Sequence, residues 1–126
     1  MDTRGIYRDV WEELSMSGQE IFLKMQDKTN LLDTALGQLG KRGRAYAEAE
    51  KAYRIALRQE ILKERDKGTP VTVISDICRG NEDIATKKFQ RDVAETTYKA
   101  AMEAINIYKL EVNLLREQID REWNRA

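Results

Sequence analysis

The chain has 126 residues, 35% charged and 41% hydrophobic, and its 22 Lys and Arg balance its 22 Asp and Glu. That length suits a single domain with a modest core, and the balance leaves no net field to draw nucleic acid or an anionic membrane. With no histidine and one cysteine, the commonest general base, the commonest metal ligand, an internal disulfide and a cysteine-based zinc site are excluded. One proline, two Phe and two Trp among many Ala, Glu, Lys, Leu and Arg favour long amphipathic helices over sheets. No apolar run approaches the ~20 residues of a bilayer span and no signal-like segment opens the sequence. Cytoplasmic localisation without membrane contact is expected.

The first predicted element is short, residues 6–14. Ile6, Tyr7, Val10, Trp11 and Leu14 fall at i, i+1, i+4, i+5 and i+8 spacing, an apolar stripe on one helix face. Ser15 to Gly18 reads as a break and restart, with Ser17 as N-cap and Glu20 three residues on, as in a capping box.

The second element spans about 18–67. Leu32, Leu36, Leu39, Gly43 and Tyr46 alternate by fours and threes, and Tyr53, Leu57 and Ile61 continue after a step of seven, close to a heptad seam. At ~50 residues it would be ~75 Å long, so it must lie along a partner helix. Gly37, Gly40 and Gly43 each cost about 1 kcal/mol relative to alanine inside a helix. They imply a bend or a place where another helix approaches closely, and a continuous helix is expected. Lys63, Arg65, Lys67 and then Gly68 signal its end, with glycine at the left-handed C′ position.

The stretch KGTPVTVISDICRGNED, 67–83, holds the only proline and the only cysteine. Val71, Ile74, Ile77 and Cys78 share one face of a two-turn helix, 70–79, that plugs the joint between long helices. Thr69 is expected as its N-cap, Pro70 as its first residue and Gly80 as its C′. The last element, 82–123, starts from Asn81 as N-cap with acidic residues at 82 and 83. Ala94, Tyr98, Ala101, Ile105, Tyr108, Val112, Leu115, Ile119 and Trp123 make one stripe. Phe89, Val93, Ala100, Ile107 and Leu114 make a second, rotated by roughly 100°.

Two stripes are more than one neighbouring helix needs. The fold expected is all-α: one domain over 1–126, a long antiparallel, coiled-coil-like helical hairpin with a short connecting helix and a short N-terminal helix. A nine-residue helix of ~14 Å cannot cover the whole second stripe. A homo-oligomer is therefore expected, most simply a dimer of hairpins with Phe89, Val93, Ala100, Ile107 and Leu114 at the interface.

Chemistry is sparse. Glu60 with Glu64, and Glu117 with Asp120, have the i, i+4 and i, i+3 spacing of helical magnesium sites, as in an all-α metal-dependent phosphohydrolase. In an antiparallel hairpin they fall at opposite ends, and no two glutamates stand three apart as an ExxE element requires. Lys41, Arg42 and Arg44, followed by Tyr46, have the ingredients of a single-stranded nucleic-acid contact, where rings stack on bases and cations track phosphates. Arg79, Lys87, Lys88 and Arg91 could form a second patch. The tyrosines at 46, 53, 98 and 108 are read as core, with Glu50 and Glu111 accepting from their phenols. Cys78 reads as a small buried hydrophobe. No cofactor, metal ligand or catalytic residue is indicated.

The run EILKERDKGTPVTVISDICRGNEDIA, followed by FQRDVAETTYKAAMEAINIYKLEVNLLREQIDREW, resembles small helical proteins encoded by tailed bacteriophages and prophages of Gram-positive bacteria. In that group a joint like G-x-P-V-T-x-I-x-D-x-x-x-G links two long helices. Gly68, Pro70, Val71, Thr72, Ile74, Asp76 and Gly80 carry the match, and the resemblance covers about residues 45–123. It implies a phage setting in the host cytoplasm and supplies no chemistry. The function expected is protein–protein interaction or oligomeric assembly without catalysis. The alternatives are an accessory single-stranded nucleic-acid-binding factor in phage replication or recombination, and the phosphohydrolase.

Overall fold

A computed structural model describes residues 17–125, and the expected helix over 6–14 lies outside them. Among the described residues there are three helices and no strand: α1 (Gly18–Asp66), α2 (Val71–Gly80) and α3 (Glu82–Arg125). The protein is all-α. No described helix is long and apolar enough to cross a membrane.

Local chemistry sets the helix ends. The Ser17 hydroxyl accepts from the Glu20 amide at 3.2 Å, satisfying one of the free N–H groups that open α1. At the other end Gly68 takes φ +78°, the left-handed conformation that glycine adopts without a Cβ clash. The Gly68 amide then reaches the Arg65 carbonyl (3.0 Å) and the Thr69 amide the Glu64 carbonyl (3.1 Å), closing a Schellman motif. Asn81 caps α3 as expected, its Oδ1 accepting from the Ile84 amide at 3.1 Å.

The caps of α2 differ from expectation. The helix starts at Val71, with Pro70 in the cap position at φ −57° and ψ 134° and without a side-chain cap bond. Thr69 does not cap it, because its hydroxyl donates instead to the Glu64 carboxylate at 2.7 Å. Gly80 stays inside the helix with no positive φ, and α2 ends at Asn81, whose φ of −68° and ψ of 128° are extended. Two extended residues, one at each end, turn the chain without a second left-handed glycine.

The described residues form two compact units, one of residues 17–36 with 103–125 and one of residues 37–102. In the first, α1 and α3 pack through buried Ile21, Ile105 and Leu115 and half-buried Leu32, Ala35, Tyr108 and Val112. Ala35 takes the inward place expected for Leu36, which is 45% exposed. Lys28 reaches across to Glu111. The glutamate that was expected to accept from a tyrosine takes a cation, the stronger partner.

In the second unit Ile74 and Cys78 of α2 and Ile84 and Ala101 of α3 are buried, with Leu39, Tyr46, Ala49, Tyr53, Leu57 and Ile61 of α1 half-buried against them. Gly43 lies opposite Tyr98 and Glu50 opposite Arg91, so α1 and α3 run in opposite directions here. The glycine triplet does not break α1. A Cβ on Gly43 would stand 3.1 Å from Tyr98 Cε2, whereas Gly37 and Gly40 have no such neighbour within 4 Å. Only Gly43 serves a close approach.

That difference is measurable by thermal or urea unfolding. Gly40→Ala should stabilise the protein by about 0.5–1 kcal/mol, the helix-propensity gain at an open position. Gly43→Leu should destabilise it, since the larger side chain displaces the Tyr98 ring. Equal effects at the two positions would contradict the packing described.

Candidate interaction surfaces

The joint between α1 and α2 holds Glu64, one of the carboxylates that sequence spacing singled out, and ties it to structure. Glu64 is buried at 6% exposure. Its carboxylate accepts from Thr69 Oγ1 at 2.7 Å and from Lys67 Nζ at 3.4 Å. The Thr69 bond, with a smaller contribution from Lys67, holds this carboxyl below its ordinary value against the opposing effect of burial. Cys78 is buried beneath the same joint. Burial first, and then the charges of Glu60 and Glu64, push its thiol up, away from the reactive thiolate. Among the described residues no group of three or more Cys, Asp and Glu is placed to hold a metal ion.

Arg91 bridges the two long helices of the second unit. Its guanidinium carbon lies 4.6 Å over the centre of the Tyr53 ring, and its nitrogens reach Glu50 Oε2 (3.4 Å) and Asp92 Oδ1 (2.9 Å). It belongs to the α1–α3 contact rather than to a free basic patch. Glu50, half-buried, also accepts from Arg54 Nε at 2.8 Å. The Arg54 bond, aided by Arg91, holds the Glu50 carboxyl low despite desolvation. Here too a glutamate expected beside tyrosines takes cations.

The cluster of Lys41, Arg42 and Arg44 lies on uninterrupted α1. Lys41 and Arg44 are exposed and Arg42 is half-buried. Arg44 Nε pairs with Glu48 Oε1 at 3.2 Å. Tyr46, the ring that would stack on a base, is half-buried with its centroid 6.0 Å from that of Tyr98. The cluster thus offers cations without an open aromatic face.

The largest unused feature is apolar. Sixteen large hydrophobic side chains are exposed among the described residues, against seven buried apolar residues, so the core is thin for the apolar content. On α3 the second stripe faces solvent in both units. Phe89 is 66% and Val93 49% exposed, with Ala100 also exposed, in the second unit. Ile107 and Leu114 are 54% and 51% exposed in the first. Leu110, 59% exposed and absent from the stripe expected from spacing, completes this face. With Thr96 and Glu103 these residues step by four and three from 89 to 114, a second heptad seam on one helix. A concavity of about 340 Å³ between α1 and α2 is floored by Leu57, Ile61 and Ile74 and rimmed by Arg65 and Arg79. Compared with known protein families, characterised proteins and solved structures, the chain matches none.

The Glu64 carboxylate predicts a pH dependence. A carboxyl whose folded-state value lies below its unfolded value of 4.5 stabilises the fold above that value and loses the contribution as pH falls toward the folded one. Glu64→Gln keeps an acceptor for Thr69 but cannot titrate. On acidification from neutral to about pH 3 the melting temperature of the wild type should fall further than that of Glu64→Gln. Parallel curves would contradict this assignment.

Proposed function

We propose that this is a non-enzymatic helical protein of a phage or prophage, acting in the host cytoplasm by assembly with a second copy of itself. In this reading the long helices fold back as an antiparallel, coiled-coil-like hairpin, and the second face of α3 joins two hairpins. The observation that carries the reading is the exposed heptad seam of Phe89, Val93, Ala100, Ile107, Leu110 and Leu114. Scattered exposed apolar residues are ordinary, but a seam in heptad register along one helix is the pattern that a partner helix covers.

Charge supports a second copy as the partner. From Thr96 to Ile107 only Lys99 and Glu103 are charged, in a chain that is 35% charged overall, and depletion of charge marks interface cores. A parallel pairing would set Glu103 against Glu103. An antiparallel two-fold pairing centred between Ala100 and Glu103 sets each Glu103 beside the partner's Ala100, Val93 against Leu110 and Phe89 against Leu114. One self-complementary patch then serves both copies. The phage setting is supported by the resemblance of the joint around Pro70.

Light scattering at micromolar concentration should report two chains per particle. Ile107→Ser with Leu114→Ser should raise the dissociation constant on the order of a thousandfold or more, since each lost apolar side chain counts in both copies. Helicity should persist, because both positions lie outside the intramolecular contact. Glu103→Leu should tighten the pair. A wild-type monomer across the concentration range would refute the proposal.

A further inference from the structure

The apolar floor of Leu57, Ile61 and Ile74 between α1 and α2 does not end at the joint. It continues along α1 into a second concavity of about 280 Å³, which shares Leu57, Ile61 and Arg65 with the first and adds Leu62. Arg54, Leu57, Arg58, Ile61, Leu62 and Arg65 step by threes and ones, so they occupy one face of α1. From residue 54 to residue 65, at 1.5 Å per residue, this strip is ~17 Å long, about three turns of helix.

The charge of the strip is one-sided. Arg54, Arg58, Arg65 and Arg79 line the two concavities and no acidic residue does, in a chain whose cations and anions are equal in number. Nearby carboxylates on α1 are engaged elsewhere: Glu60 by Lys63, Glu64 by Lys67 and Thr69, and Glu50 by Arg54 and Arg91. Arg58, Arg65 and Arg79 are exposed, and among the described residues they have no ion-pair partner.

We infer that this groove docks an acidic amphipathic helix of another protein, with aliphatic side chains on its floor and carboxylates against Arg58, Arg65 and Arg79. Shape, apolarity and charge each narrow the occupant. A single-stranded nucleic acid would cover an aliphatic floor poorly and find no ring to stack on. Tyr53, the one aromatic residue of the lining, is half-buried with Arg91 over its face. A flat bilayer cannot reach Ile74, 5% exposed, or half-buried Leu57 and Ile61. A helix can, through side chains at i, i+3, i+4 and i+7, and its flanking carboxylates meet guanidinium groups that pair with them bidentately. The groove belongs to α1 and α2 and the self-association seam to α3, so this inference does not rest on the pairing of two copies.

The probe is a fluorescein-labelled, hydrocarbon-stapled helical peptide with leucines at i, i+3, i+4 and i+7 and glutamates on either side of them. Its anisotropy should rise saturably with the full-length protein, and its affinity should fall as salt rises. Arg58→Glu with Arg65→Glu and Arg79→Glu should weaken binding on the order of tenfold or more, and this variant should bind the same peptide with lysines for glutamates. A peptide with serines for leucines should bind the wild type at least several-fold more weakly, a reading that needs no protein variant. No binding of the acidic peptide, equal binding by wild type and charge-reversed protein, or equal binding of the serine peptide overturns the proposal. So does a fall in particle mass of the charge-reversed protein by light scattering, which assigns the groove to a second copy. Arginine-dependent binding of oligo(dT), or of mixed phosphatidylcholine and phosphatidylserine vesicles, that exceeds binding of the peptide also overturns it, assigning the groove to a nucleic acid or a membrane.

Discussion

The buried carboxylate of Glu64 is the constraint on which the joint depends. It sits two residues from the end of α1 and takes the hydroxyl of Thr69, while the backbone of the same two residues closes the Schellman motif around Gly68. Side chain and main chain therefore specify one turn. With Thr69 held in this way, Pro70 is left to open α2 in an extended conformation, and Ile74 and Cys78 turn inward. A buried charge without such partners would be costly, so removing the hydroxyl and removing the carboxylate are not equivalent changes.

Contacts between the long helices follow a second rule, that carboxylates at the edge of the seam are met by cations. Lys28 with Glu111 serves the first unit, and Arg91 with Glu50 and Tyr53 serves the second. Because these pairs are only partly buried, their value lies more in selecting the register of the helices than in stability. The stability must come from apolar burial, and among the described residues few apolar side chains are fully buried. A thin core beside a heptad-spaced exposed face is consistent with a protein completed by association.

Much of the local structure was legible in the residues because caps are local chemistry. Ser17, Gly68 and Asn81 each act within three residues of themselves, and their roles follow from their types. The inward stripe of α3 was legible as well, through Ala101, Ile105 and Leu115, because periodicity reports burial. Trp123, at the end of that stripe, is exposed instead. Thr69 and Gly80 were misread where two local solutions compete: a threonine before proline can cap the next helix or bond backward to the previous one, and only the fold around Glu64 decides. Ala35 and Leu36 exchanged places because both satisfy a three–four alternation. The partners of Glu50 and Glu111 depend on the register between helices, which spacing along one helix does not contain. Leu110 could have been found by noticing that Ile107 and Leu114 leave one heptad position between them.

The central claim is that two copies meet antiparallel along the second face of α3. Spin labels on Asn113, an exposed position beside that face, test it most directly in a Cys78→Ala background that removes the buried native thiol. A pairing centred between residues 100 and 103 places the two labels roughly 35 Å apart, from about 23 residues at 1.5 Å each. Pulsed dipolar spectroscopy should report that intermolecular distance. A distance near 10 Å, as parallel helices would give, or no intermolecular coupling at micromolar concentration, would contradict the account.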